Sequence, residues 1–331
     1  MDPVTATFAA LMVAGVGIRL IRSARAEPRK RMLNAYSQQV GLALVPEIVP
    51  ELSLRLYRRE RAWIVGSMVG LVAGVTTLVV TDSSQSPWNG LLVGIAMIVG
   101  STIAMIVKDS RSAFTPVPDA PRLARSVSPG LADYVTRVDR TFSLGLLALA
   151  TLGYIAVLGV IAINPSRVFD DVSVRSILWP AGLLLALATA ASLVTWAAAG
   201  ALLSRGQPAS TFIELAWSDA FRSSTLRSLI YIPGIIAAVS SGVLFLSLSW
   251  EIKLPAPGSV GEILVNSFTI MGPILLGIVA AWTITSLRNR STTHYLRRLW
   301  PETAVELDRR RSARGAIDDQ PDADSRTRSS A

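Results

Sequence analysis

The side chains that most often carry catalysis or hold metals are scarce in this sequence. It has no cysteine, which excludes disulfides, thiolate metal sites and cysteine nucleophiles together. Its one histidine, His294, stands in the basic stretch STTHYLRRLW without the companion ligands that a metal site needs. No phosphate-binding loop of the GxxxxGKS or GxGxxG type is present. We therefore expect no metal, no cofactor and no nucleotide hydrolysis.

Carboxylates offer two further chemical hypotheses. Asp170 with Asp171, and Asp318 with Asp319, form acidic pairs in polar stretches, where solvated surface charge explains them better than cation binding. His294 and Glu302 lie just beyond the last apolar stretch and are the one pair placed to act on lipid head groups. We keep that enzyme class as a hypothesis, but expect the protein not to be an enzyme.

Seven apolar runs would have to position any such groups. The chain is 51% hydrophobic and 17% charged, whereas soluble domains carry about 25% charged residues. The last six runs contain no Asp, Glu, Lys, Arg or His and are long enough to cross a hydrocarbon core of about 30 Å. The first run is shorter and reaches a full span only if Arg19 extends its side chain to the interface. The runs cover residues 4–21, 62–81, 89–107, 142–163, 177–203, 228–249 and 264–286.

The positive charges indicate an orientation. All 32 Lys and Arg residues except Arg167, Arg175 and Lys253 fall in alternate connections, on one side of the predicted membrane. Basic connections favour the cytoplasm. We therefore predict an all-α, polytopic transmembrane bundle of about seven spans, with the N-terminus outside and the C-terminus in the cytoplasm. The net charge of +9 is explained by this topology, and we expect no nucleic-acid partner.

Short amphipathic cytoplasmic helices are predicted before two of the spans. Residues 49–63, VPELSLRLYRRERAW, resemble residues 128–142, SPGLADYVTRVDRTF. In the second stretch Leu131, Val135, Val138 and Phe142 have helical spacing, which predicts one amphipathic helix that begins near the proline. The likeness indicates either an internal repeat or the shared composition of helices that enter a membrane.

Small residues at four-residue spacing mark two spans as packing surfaces. In lipid, such a stripe lets another helix backbone approach closely. We expect these stripes to face protein, either within the bundle, in a homo-oligomer or along a pore. The packing positions are Gly66, Gly70, Gly74, Gly234, Ala238 and Gly242.

Three prolines mark candidate kinks in the last three spans. Each removes a backbone hydrogen bond and can bend its helix. A static bend is the simpler interpretation, and a moving gate is the alternative. The residues are Pro180, Pro233 and Pro273.

The chain divides into a transmembrane domain, 1–300, and a charged tail, 301–331, whose composition predicts disorder. Only three of the basic residues in the whole chain are lysine, which is a weak indication of a bacterial source. Our leading hypothesis is a non-enzymatic accessory or assembly subunit of an envelope complex in the bacterial cytoplasmic membrane. Its expected partners are the bilayer with its anionic lipids and a second copy or other membrane subunits. The alternative is a permease subunit or facilitator for a neutral or apolar solute, energised by another subunit.

Overall fold

The computed structural model describes residues 26–80, 89–111, 128–163, 174–207, 209–251 and 293–318, with isolated positions of the first and last apolar runs. These residues form helices and turns, and no strand occurs among them. The helices are α1 (Ala26–Val40), α2 (Val49–Val80), α3 (Asn89–Arg111), α4 (Leu131–Tyr134), α5 (Arg137–Ile163), α6 (Val174–Leu203), α7 (Phe212–Glu251), α8 (His294–Leu299) and α9 (Pro301–Asp318).

Five of these helices, α2, α3, α5, α6 and α7, are long and apolar enough to cross a membrane. They contain the second to sixth apolar runs predicted from the sequence. The prediction of an all-helical membrane protein is confirmed to this extent. The first and seventh predicted spans, 4–21 and 264–286, lie largely outside the described residues.

Helix α7 is the axis of the bundle. It contacts α3, α4, α5, α6 and α8, and 72% of its apolar stretch is buried by protein, against 17–33% in the other four long helices. Its 40 residues extend about 60 Å at about 1.5 Å per residue, twice the thickness of a hydrocarbon core. One half of α7 must therefore lie beyond the apolar layer.

Helix α7 begins with a capping box. The Glu214 backbone N–H donates to Thr211 Oγ1 at 3.2 Å, and Glu214 Oε2 accepts the Ser210 N–H at 2.7 Å. These contacts satisfy N–H groups that the first helical turn leaves without partners. The polar stretch that precedes the sixth apolar run is consequently continuous with the span that follows it.

The helix predicted over residues 128–142 is interrupted, so that prediction is wrong in its continuity. Val135 is extended, with φ −126° and ψ 130°, between α4 and α5. The Asp139 N–H donates to Thr136 Oγ1 at 3.1 Å and starts a new helix there. Val135 is fully buried, whereas Val138 is 58% exposed. The two residues therefore do not share the single apolar face that we expected.

The first residues of the predicted charged tail form helix α9. Ala304 of this helix is buried. Gly41, which ends α1 with φ +74° in the left-handed region, packs so closely against Leu307 that a Cβ would collide with it. The first part of the tail is thus attached to the helical body. Residues 319–331 lie outside the described part.

Candidate functional site at the basic end of the bundle

Among the described residues, the buried charged side chains lie at one end of the bundle, which we call the basic end. Helices α2, α5 and α7 begin there, α3 and α6 end there, and α1, α4 and α8 pack around them. Consecutive long helices therefore run in opposite directions through the bundle. Large aromatic side chains fill the core of the basic end. The buried aromatic residues are Tyr134, Trp217, Phe221 and Tyr295, and the partly buried Tyr36 packs against this core.

Asp109, at the end of α3, links that helix to α2 and α7. Its Oδ2 lies 3.5 Å from Arg59 Nε of α2 and accepts a 2.6 Å hydrogen bond from Thr225 Oγ1 of α7. Arg59 also donates to Ser224 Oγ at 2.9 Å. Burial makes such a pair costly to break, because either partner alone would be left as a poorly solvated charge.

Tyr36 and Arg55 border this ion pair. The Tyr36 ring stacks on Phe221 with 5.4 Å between centroids, and Arg55 Cζ lies 4.3 Å from the same ring. Burial raises the pKa of the Tyr36 phenol; Arg59 opposes the rise and Asp109 adds to it. Tyr36 also lines a cavity of about 20 Å³ with Ser223 and other residues, large enough for one water molecule.

Asp139, at the start of α5, forms a second link to α7. Tyr231 Oη donates to Asp139 Oδ1 at 2.7 Å, and Arg227 Nε lies 3.9 Å from Oδ2. The Arg227 guanidinium also lies 5.8 Å from the centre of the Tyr231 ring. Both the carboxylate and the guanidinium are buried. Helices α5 and α7 are therefore held together by charge and hydrogen bonding at the edge of the apolar layer.

Asp219 is the third buried carboxylate and joins three segments through neutral donors. Tyr134 Oη and Gln207 Nε2 donate to Oδ1 at 2.8 and 3.1 Å, and Trp300 Nε1 donates to Oδ2 at 2.9 Å. Asp219 is completely buried. Tyr295 of α8 continues this junction by donating to the Val40 carbonyl at 3.2 Å. Burial, with Tyr36 and Asp219 nearby, raises the pKa of the Tyr295 phenol well above its ordinary value.

Away from the basic end, α7 is joined to its neighbours by hydroxyl groups. Pro233 has no N–H, so the carbonyl of Leu229 loses its partner within the helix. Thr195 Oγ1 of α6 donates to that carbonyl at 3.1 Å, and Ser143 Oγ of α5 donates to the Ile230 carbonyl at 2.6 Å. Thr195 thus replaces the hydrogen bond that the proline removes, and Ser143 adds a second contact beside it.

The structure places the first predicted small-residue stripe at the α2–α3 crossing. A Cβ on Gly66 would lie 2.6 Å from Ala104 Cβ, and one on Gly70 would lie 2.7 Å from the Ala96 carbonyl carbon. Gly74 is less tightly enclosed, with its nearest neighbours at 3.2 Å. The helices approach so closely here that only glycine fits at the first two positions.

The second stripe lies within the buried part of α7. A Cβ on Gly234 would lie 2.9 Å from Ser143 Oγ, and Ala238 and Gly242 are also buried. Of the candidate kinks, Pro180 lies near the start of α6 and Pro233 in the middle of α7. Pro273 lies outside the described residues.

The two residues of the candidate head-group pair have different surroundings. His294 shares a 3.0 Å hydrogen bond with the Ala132 backbone carbonyl, and Glu302 is exposed at the start of α9. Within the described residues, no group of three or more His, Asp or Glu side chains is placed to hold a metal ion. The two predicted acidic pairs fall wholly or partly outside the described residues.

Sequence reasoning overlooked the three buried aspartates because each lies outside an apolar run. One signal was available for their partners. Leu52, Arg55, Leu56 and Arg59 repeat at helical spacing and so share one face of α2, and both leucines are buried. Arginines on a buried apolar stripe require acceptors. Nothing local, however, identifies an acceptor such as Asp109, which comes from another helix.

Comparison with known proteins found no relative: no protein-family model, no curated protein and no solved structure matches this chain. Function therefore has to be argued from the chain's own residues and their arrangement.

Proposed function

We propose that the protein is a non-enzymatic, seven-span subunit of the bacterial cytoplasmic membrane that acts by association, as an accessory or assembly subunit of an envelope complex. The observation that carries this proposal is how the buried charges are used. Asp109, Asp139 and Asp219 each receive contacts from other helices of the same chain. They hold the bundle together, which favours a structural role over chemistry on a substrate.

The proposed orientation places the N-terminus outside and the basic end in the cytoplasm. The Lys- and Arg-rich connections lead into the helix ends that meet there, which agrees with the preference of basic residues for the cytoplasmic side. The cysteine-free chain allows single cysteines to be labelled without background. Ser204→Cys, exposed at the end of α6, should react only from the cytoplasmic side. Ser84→Cys, outside the described residues, should react only from the external side.

The basic end offers surface for a partner. Helices α2 and α7 extend beyond a single hydrocarbon thickness, and α8 and α9 pack beside them. Apolar side chains remain exposed in this region, at Phe212 of α7 and Val305 of α9. Aromatic side chains such as Phe212 are enriched in protein interfaces.

The hydrogen bonds around Pro233 favour this proposal over a permease. A transporting helix must change its packing during a cycle, but the Leu229 and Ile230 carbonyls are hydrogen bonded from α6 and α5. A change of packing would leave the Leu229 carbonyl without a partner in an apolar layer, at a cost of several kcal/mol. A fixed bend avoids this cost.

The proposal is tested by photocrosslinking the full chain in native membranes. A photoreactive amino acid replaces Phe212 or Val305 in turn, and replaces Leu152, an exposed residue of α5, as the lipid-facing control. Proteins of envelope assembly should be captured at the first two positions and not at Leu152. Capture of an ATPase or a solute-binding subunit would establish the permease alternative. Absence of any protein adduct at both test positions would overturn the association proposal.

A further inference from the structure

A groove between α2 and α3 opens at the basic end, where both helices leave the apolar layer. Its volume is about 480 Å³, within the range of about 300–1,000 Å³ that is typical of ligand sites. We call it the α2–α3 groove. It is lined by Arg58, Arg61, Ala62, Val65, Ala104, Val107 and Lys108.

The lining divides by chemistry into a charged mouth and an apolar wall. Arg58, Arg61 and Lys108 supply three positive charges, and no carboxylate is among the groove's lining residues in the described part of the chain. Arg61 lies over the Tyr57 ring, 5.8 Å from its centroid, which limits where its guanidinium can point. The mouth therefore favours an anion.

The apolar wall faces outward from the bundle. Val65 and Val107 are 56% and 42% exposed, and Ala62 and Ala104 are too small to fill the space between them. Behind this wall the helices are in close contact, since a Cβ on Gly66 would lie 2.6 Å from Ala104 Cβ. The groove is consequently a recess in the outer surface with a solid floor.

We propose that the α2–α3 groove is a specific site for an anionic phospholipid. Its phosphate binds at Arg58, Arg61 and Lys108, and one acyl chain lies along Val65 and Val107. A free anion would satisfy the mouth but leave the apolar wall uncovered, whereas a lipid complements both. Basic pockets between membrane helices are known to bind anionic head groups. This proposal does not depend on the protein's association with other subunits.

Native mass spectrometry of the full chain tests the site. Protein is extracted in mild detergent from vesicles that contain equal amounts of phosphatidylglycerol and phosphatidylcholine, and the retained lipids are counted. One phosphatidylglycerol should remain bound in preference to phosphatidylcholine. In the triple variant Arg58→Gln, Arg61→Gln, Lys108→Gln, affinity for it should fall about a hundredfold. Equal retention of both lipids by the unmodified chain would overturn the proposal.

A matched charge control removes three exposed arginines elsewhere, in the variant Arg297→Gln, Arg298→Gln, Arg309→Gln. This control variant should keep the bound phosphatidylglycerol. If both triple variants lost the same affinity for phosphatidylglycerol, binding would depend on general surface charge, and the proposal of a specific site would be wrong.

The acyl-chain part is tested without a change of charge. Val107→Trp fills the groove and should expel the lipid, while Val72→Trp, at an exposed position of α2 outside the groove, should not. Thermal unfolding confirms that each variant is folded. Glycerophosphate, which has the phosphate but no acyl chain, should fail to displace the lipid; displacement would contradict the role of the apolar wall.

Discussion

Both halves of α7 are largely buried but are fixed by different chemistry. Residues 212–227 are held by charged and aromatic side chains, with Asp219 fully enclosed and Thr225 bonded to Asp109. Residues 228–248 are held by small side chains and by hydroxyl groups that donate to backbone carbonyls, as Ser240 does to Ala181 at 2.7 Å. Charged side chains occur only in the first of these two stretches. In the second, neutral donors and close backbone contact replace them, as is usual within an apolar layer.

The largest expected effect tests the charged half. Asp109→Ala leaves Arg59 buried without its carboxylate, and we expect a loss of about 3–5 kcal/mol in the free energy of unfolding. Asp308→Ala removes the partner of Arg297 from a pair of similar length, 3.3 Å, in which the two side chains are 48% and 41% exposed. That change should cost less than about 1 kcal/mol. The free energies of unfolding of both variants are measured in bicelles. Equal losses of stability would contradict the distinction between buried and exposed ion pairs.

The next effect tests close backbone contact in the apolar layer. In Gly70→Ala the new methyl group collides with Ala96 of α3, and overpacking of this kind costs about 1–3 kcal/mol. Gly145→Ala places the same group on α5 with no heavy atom within 4 Å. There the lower entropy of the unfolded chain should stabilise the protein by about 0.5–1 kcal/mol. Effects of the same sign in the two variants would show that the α2–α3 contact is looser than described.

A smaller loss of stability is expected when the hydroxyl hydrogen bond beside Pro233 is removed. Thr195→Val removes the donor to the Leu229 carbonyl, at about 1–2 kcal/mol. On a Pro233→Ala background the cost should nearly vanish, because the residue at 233 then supplies the missing backbone N–H. A double-mutant cycle measures this coupling. Thr189→Val, whose hydroxyl bonds within its own helix to Leu185, serves as the control and should show no coupling to Pro233→Ala.

The smallest effect is a change in alkaline stability. The pKa values of Tyr36 and Tyr295 are raised in the folded protein, so the unfolded chain loses these protons first as the pH rises. Their contribution to stability is complete below the ordinary tyrosine pKa of about 10 and is lost as the pH rises above it towards the folded-state pKa values. Tyr295→Phe should flatten the decline in melting temperature above pH 10 relative to the unmodified chain. An identical slope in the variant and the unmodified chain would contradict the assignment.

The positions of the five described spans follow from the sequence because an apolar run of about 20 residues has few alternatives to a membrane helix. The lengths of α2 and α7 do not follow from the apolar runs, since both helices begin in the polar residues that precede those runs. The break in the helix at Val135 could have been predicted, because Thr136 and Asp139 have the spacing of a capping motif.

The candidate site was largely beyond local sequence reasoning. Its contacts join residues that are far apart in the chain, such as Asp109 with Thr225, and the pairing depends on how helices cross. The glycine stripe at Gly66 and Gly70 could be predicted from the sequence because close packing in lipid requires small residues at one spacing. The helix that the stripe contacts could not be predicted, since the complementary Gly100 of α3 lies within an ordinary apolar run.

The central claim is that α7 is a fixed axis, so that the α2–α3 pair and α6 do not move against each other. Spin labels at exposed positions, through Val72→Cys on α2 and Leu193→Cys on α6, report this separation by pulsed electron resonance in lipid vesicles. A static scaffold predicts one narrow distance distribution. Two populated distances would contradict the account and would restore the permease with a moving α6–α7 unit.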